Sequence, residues 1–106
     1  MDTVMRFSLQ DYFDFIVAGN EVKRAKPDPE IFLKAAEGLK LRPEECVVIE
    51  DANYGLIAAK KAGMFAIVIP DELTKNQDHS MADMRLDSVN QLDKSVIDKL
   101  NSTSKQ

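Results

Sequence analysis

The 106 residues carry 14 Lys+Arg against 18 Asp+Glu, a net charge of −4, with 44% hydrophobic and 30% charged residues, which is too apolar for a disordered chain and fits one soluble domain. The acidic surplus argues against nucleic acid or an anionic membrane surface as partner. The longest apolar run, 64–69, is far short of the ~20 residues of a spanning helix; no basic start followed by an apolar stretch marks a secretory signal, so cytoplasm is the expected address.

Taken in chain order, Phe13, Phe15, Ile16 and Val17 form a short apolar strand that ends at 18–20. A helix follows whose start is written out: Asp28 as N-cap, Pro29 at the first helical position, Glu30 in the first turn. Phe32, Ala35, Ala36 and Leu39 then recur at i, i+3, i+4, i+7 and give it one apolar face. Residues 46–49 read as a second strand and 65–69, closed by Pro70, as a third. Both are nearly continuous apolar runs, the pattern of strands buried on two faces at the centre of a helix-covered parallel sheet. Between them a second helix is predicted over 53–62, with Leu56 and Ala59 inward, Lys60 and Lys61 in its last turn and Gly63 just beyond. The alternation predicts an α/β, Rossmann-like parallel sheet with flanking helices and right-handed crossovers. After Pro70 the pattern weakens to a polar loop over 71–82, a weak fourth strand at 83–86, and a short terminal helix over 89–100 using Leu92, Val96, Ile97 and Leu100. One domain over 1–100 and a frayed tail over 101–106 are expected.

In an open parallel sheet, ligands bind beyond the carboxyl ends of the strands. That rule selects the loop 20–28 and the pair Glu50-Asp51. Paired carboxylates suit Mg²⁺, which takes one or two of them plus substrate phosphate and water. Because successive strand side chains point to opposite faces, both acids address one ion only if the backbone turns at Asp51 or one acts through water. The same residues also read as a helix cap (Asp51) and a solvated strand end (Glu50). Lys26, in Lys26-Pro27-Asp28-Pro29, sits on a stiff, extended pedestal before a helix N-terminus, where a cation beside exposed N–H groups makes an anion site; it also reads as a plain surface lysine. Gly55 permits close approach of helix and strand, or of a bound group. His79 is expected in solvent. Cys46, the one cysteine, excludes an internal disulfide or a Cys-cluster metal site and is expected as an inert core thiol. No Gly-rich phosphate loop, Walker motif or Ser/His/Asp arrangement is present.

Phe13-Asp14-Phe15-Ile16-Val17-Ala18-Gly19, Lys26-Pro27-Asp28-Pro29-Glu30-Ile31-Phe32, Val47-Val48-Ile49-Glu50-Asp51-Ala52 and the stretch 55–64 together resemble the haloacid dehalogenase (HAD) superfamily, in particular its phosphatase and β-phosphoglucomutase-like branch. The resemblance runs from about residue 4 to 92, and the two central motifs stand 24 positions apart. It implies that Lys26 is the family's third motif, that Glu50 and Asp51 are the fourth and hold Mg²⁺, and that Asn20, Asn53 and Gly55 neighbour the phosphate. Ala52 stands where the family often has Ser. The first motif, an Asp-x-Asp that supplies the nucleophile and a general acid/base, is absent from this sequence: Asp2 precedes no usable strand and Asp11 and Asp14 have the wrong spacing. The Ser/Thr second motif and the helical cap domain are absent too. The chain therefore resembles the C-terminal half of a HAD enzyme, an incomplete core without its first two motif strands. In the family the first-motif strand lies beside the strand that bears the fourth motif. Losing a central strand forfeits stability comparable with that of a whole domain, ~5–15 kcal/mol. The isolated chain is thus expected to be poorly stable, to close the gap by pairing strands that are not neighbours in the parent fold, or to borrow an edge.

The resemblance implies a parent enzyme that is a Mg²⁺-dependent phosphatase or phosphomutase for a small phosphorylated metabolite, a sugar phosphate, working through an aspartyl-phosphate, with this chain inactive alone. The alternative is a non-catalytic remnant or interaction module that pairs with a complementary fragment or with itself. A phospho-acceptor receiver domain shares the acidic crevice and lysine but places its acceptor aspartate in another motif order.

Overall fold

The computed structural model describes residues 3–6, 15–17 and 26–91. In chain order they form β1 (Thr3–Arg6), β2 (Phe15–Val17), α1 (Glu30–Leu39), β3 (Cys46–Glu50), α2 (Asn53–Lys61), β4 (Phe65–Val68) and β5 (Met84–Arg85). One sheet carries all five strands in the order β2-β1-β3-β4-β5. The expected parallel α/β sheet is present over β3, β4 and β5, with α2 as the crossover from β3 to β4 and a loop leading from β4 to β5. On the other side β1 runs antiparallel to both neighbours, with Thr3 opposite Ile49 and Arg6 opposite Cys46. This corrects the expectation that no usable strand follows Asp2. Backbone N–H and C=O groups along a central strand must be paired, and the segment 3–6 meets that demand along β3 although its own sequence carries no strand pattern.

Helix α1 starts one residue later than its sequence suggests. Asp28 Oδ1 accepts the Glu30 N–H at 3.0 Å, and the Pro29 carbonyl accepts the first bonds, from the Phe32 and Leu33 N–H groups. The helix ends at Lys40, left-handed at φ 58°, whose N–H reaches Ala36 O and Glu37 O. Helix α2 ends at Ala62, with Gly63 at φ 82° taking the turn into β4. Lys60 then stitches this corner: its Nζ donates to Met64 O at 3.1 Å and to Asp83 Oδ2 at 2.6 Å. Asp83 Oδ2 also accepts the Ala66 N–H, and the Asp83 N–H returns a bond to Ala66 O, each at 2.8 Å. That exchange begins β5, which spans two residues rather than the expected four.

Both helices cover one face of the sheet. Phe32, Ala36, Leu56 and Ala59 pack there against Cys46, Val48, Ala66 and Val68, while Val47, Ile49 and Ile67 form a smaller cluster on the opposite face. Strand β3 is buried along its whole length, as its unbroken apolar run predicts. Strand β4 stops at Val68, one residue early. Of the predicted terminal helix only 89–91 is described, as a single 3-10 turn; the rest of it, the domain boundary at 100 and the tail lie outside the described residues. Among the described residues no helix is long and apolar enough to cross a membrane.

Burial raises the Cys46 thiol to about 11, with Glu45 and Glu44 adding to the shift. The side chain is almost fully enclosed and its Sγ lies 3.5 Å from Arg42 O. A thiol so placed holds little thiolate near neutrality. Native protein is expected to leave a disulfide exchange reagent unreacted at about pH 8, and urea-unfolded protein to react at the rate of a free cysteine.

The loop 71–82 is made of turns, as expected. Its bonds centre on two carboxylates. Asp71 Oδ1 accepts from the Thr74 hydroxyl (3.0 Å), the Leu73 N–H (2.8 Å) and the Thr74 N–H (3.0 Å). The Thr74 hydroxyl, then those amides, hold Asp71 below the usual carboxylate value; Ser80, through its N–H and hydroxyl, does the same for Asp78. Both groups bind protons more weakly folded than unfolded, so their support is complete above an unfolded value of about 4 and is lost as pH falls through their lowered values. Protection of the 71–80 amides, their exchange relative to unstructured peptide at the same pH, is therefore expected to fall on acidification below about pH 4 before that of α1 and α2 does. An equal loss of protection everywhere would show that these turns do not open first.

Candidate functional site

The carboxyl ends of β3 and β4 meet where the Ile69 N–H donates to Glu50 O at 2.9 Å. Beyond them the backbone bends at 51–52 before entering α2. Glu50 is buried, 1% exposed. Its Oε1 accepts the Asp51 N–H at 3.2 Å, and its Oε2 lies 3.5 Å from Lys26 Nζ, a side chain that is 27% exposed. Removing a carboxylate from water is costly unless a cation or donors accompany it, and the lysine arrives from 24 positions away to do so. The solvated-strand-end reading of Glu50 is thereby overturned. So is the view of Lys26 as a plain surface lysine. Lys26 stands in a turn before α1, and its bond to Pro27 is cis.

Asp51 is half-buried and does not cap α2. The N-cap position is Ala52, in extended conformation (φ −121°, ψ 155°) with no side-chain cap bond. The backbone bend that the sequence argument required at Asp51 is present. Asp71, in the loop after β4, has the Asp51 side chain as the smallest of the influences that lower its proton affinity. The sequence reading did not single out Asp71, although the strand-end rule that selected Glu50 and Asp51 applies to it equally.

The three expected phosphate neighbours fare differently. Asn20 lies outside the described residues. Asn53 is committed elsewhere: its N–H donates to Gln77 Oε1 and its Nδ2 to Asp78 O, both at 2.8 Å. It thus pins the loop after β4 to the start of α2, beside an open cavity of about 590 Å³ lined by Ala52, Asn53, Tyr54, Ile57, Gln77 and Asp78. Gly55 is buried in the first turn of α2, next to the Glu50 side chain. His79 departs from expectation as well. It is half-buried, and its Nε2 is enclosed with no hydrogen-bond partner among the described residues. The long polar loop folds back on itself, which its composition does not reveal. No group of three or more His, Cys, Asp or Glu side chains converges as a metal cage among the described residues.

The sequence profile described as haloacid dehalogenase-like hydrolase matches residues 1–69. Protein CbbY of Rhodobacter capsulatus is 42% identical over 76 residues, 72% of this chain and 34% of its own length. The phosphorylated carbohydrates phosphatase of Thermotoga maritima is 47% identical over 64 residues, 60% of this chain and 30% of its own. Among solved structures, a β-phosphoglucomutase from Clostridium difficile superposes with a TM-score of 0.69 at 34% identity, covering 81% of this chain and 37% of that one. CbbY from Rhodobacter sphaeroides in complex with phosphate gives 0.63 at 41% identity, covering 66% and 31%. The chain spans about a third of the length of these relatives. With a family profile over well more than half its residues, and a fold shared with solved members, the chain belongs to the haloacid dehalogenase-like hydrolase family.

Proposed function

We propose that these residues form the lysine- and acid-bearing part of a phosphatase or phosphomutase that acts on a small phosphorylated metabolite, a sugar phosphate, through an aspartyl-phosphate. The reading is carried by the Lys26–Glu50 pair at 3.5 Å, with Asp51 at the next position, at the carboxyl end of the parallel strands. The names of relatives that act on phosphorylated sugars support the substrate class. Lys26 places a positive charge where a transferring phosphoryl group gathers negative charge, and Glu50 holds that ammonium from behind. The donor set fits Mg²⁺ in its usual manner, with few protein carboxylates and the rest water and phosphate oxygen. Asp51, half-exposed, would be the direct ligand, and Glu50, turned toward Lys26 and the Asp51 N–H, would act through water. When bound, the ion would offset phosphate charge. The lone, buried, protonated thiol accords with a cytoplasmic address.

The isolated chain contains no carboxylate in an Asp-x-Asp to attack phosphorus. Purified alone with Mg²⁺ and an aryl phosphate, it is expected to give no turnover. Adding a polypeptide that bears the Asp-x-Asp and Ser/Thr motifs is expected to produce Mg²⁺-dependent hydrolysis, abolished by Asp51→Asn. Turnover by the chain alone that Asp51→Asn removes would show that another residue attacks. A second reading, association through the sheet, is favoured by the sheet's two ends: β2 and β5 each pair with one described strand. Size-exclusion chromatography with and without the complementary polypeptide separates complementation from self-pairing.

A further inference from the structure

A Cβ built on Gly55 would overlap Glu50 at Cγ, Cδ and Oε2, whereas one on Gly38 in α1 meets nothing. The Glu50 carboxyl therefore lies in the volume that any side chain at position 55 would fill. The backbone does not demand glycine there, since Gly63 is the one glycine with positive φ among the described residues. Helix propensity favours alanine over glycine inside a helix. Space for Glu50 is the remaining reason for glycine at this position.

We infer that Gly55 is a positioning residue of the site: by lacking a side chain it lets Glu50 fold back beneath the first turn of α2, and that carboxylate, rather than a bound phosphate, fills the space and aims the Lys26 ammonium. The inference rests on Lys26 being the site's cation, as proposed above. Turned outward instead, Glu50 would leave the pocket beneath α2 and draw the lysine with it. One Glu50 oxygen is already fixed by the Asp51 N–H, so the orientation of the other is set by how closely α2 approaches.

The test uses the full chain in three variants, Gly55→Ala, Glu50→Ala and the two combined. They are read by the urea midpoint and by the NMR ¹Hε–¹³Cε signal of Lys26, assigned by its loss in Lys26→Arg. Gly55→Ala alone is expected to lower the midpoint and to move the Lys26 signal to the position it takes in Glu50→Ala. In the Glu50→Ala background the same substitution is expected to raise the midpoint, because the overlap is gone and only the helix preference for alanine is left. A reversal of sign together with the shared Lys26 position establishes the assignment. Gly55→Ala that leaves the Lys26 signal in place, or that lowers the midpoint equally in both backgrounds, overturns it. Neither readout depends on turnover, so failure here is distinct from failure of the phosphatase reading.

Discussion

On the function proposed above, replacing Lys26 by Met is expected to lower the kcat of the complemented enzyme about a hundred- to a thousandfold, the range found when one preorganised donor is removed from a charge-stabilising site. The effect would belong in kcat more than in KM, because on that proposal the ammonium faces charge that grows during transfer. Lys26→Arg is not expected to restore activity: a planar fork cannot occupy the compact position that an ammonium takes 3.5 Å from Glu50 Oε2. Lys26→Met also leaves a buried carboxylate without this cation, so stability falls together with rate. Adding Glu50→Gln separates the two losses, returning the urea midpoint toward that of the parent while activity stays low. Steady-state kinetics beside urea melts of the single and double variants check both arms. Activity that recovers along with the midpoint would mean Lys26 serves folding alone.

The largest loss of stability is expected from Phe32→Ala. Phe32 is completely enclosed between α1 and the sheet, in the cluster that holds Leu56, Val48 and Met64. Truncating such a ring costs about 3–5 kcal/mol through lost transfer energy and the cavity left behind, against a total of ~5–15 kcal/mol for a domain. Its neighbour Leu33, turned about 100° away around the helix, is 41% exposed, and Leu33→Ala is expected to change stability by about 0.5 kcal/mol or less. Urea unfolding followed by circular dichroism compares them directly. Similar losses at both positions would show that α1 does not pack by the face its periodicity indicates.

What was legible in the sequence was local. The apolar spacing of Phe32, Ala35 and Ala36 and the unbroken runs of β3 and β4 identify three elements, because period and run length are properties of the segments themselves. Lys26 and Glu50 were also marked in advance by the strand-end rule and by the stiff prolines. Illegible features depended on distant partners. Strand β1 has no pattern of its own and exists through its pairing with β3. The burial of Glu50 follows from Gly55 and Lys26 together, and a carboxylate at a strand end ordinarily reads as wet. The bonds of Asn53 run to Gln77 and Asp78, more than twenty residues downstream, which no local pattern shows. The shortened α1 and β5 reflect turn bonds made by Asp28 and Asp83, which composition alone cannot place within one residue.

Strand β5 supplies only Met84 and Arg85, opposite Ile67 and Val68, so the first half of the outer margin of β4 is not covered by a strand. Just upstream, both backbone groups of Ala66 are taken by Asp83, whose carboxylate is steadied by Lys60. A side chain there stands in for a neighbouring strand and denies the margin to foreign chains. Concentrated salt weakens a half-exposed ion pair of this kind. The cover over this margin accordingly hangs on one carboxylate and one ammonium, and is expected to be firmest in dilute buffer.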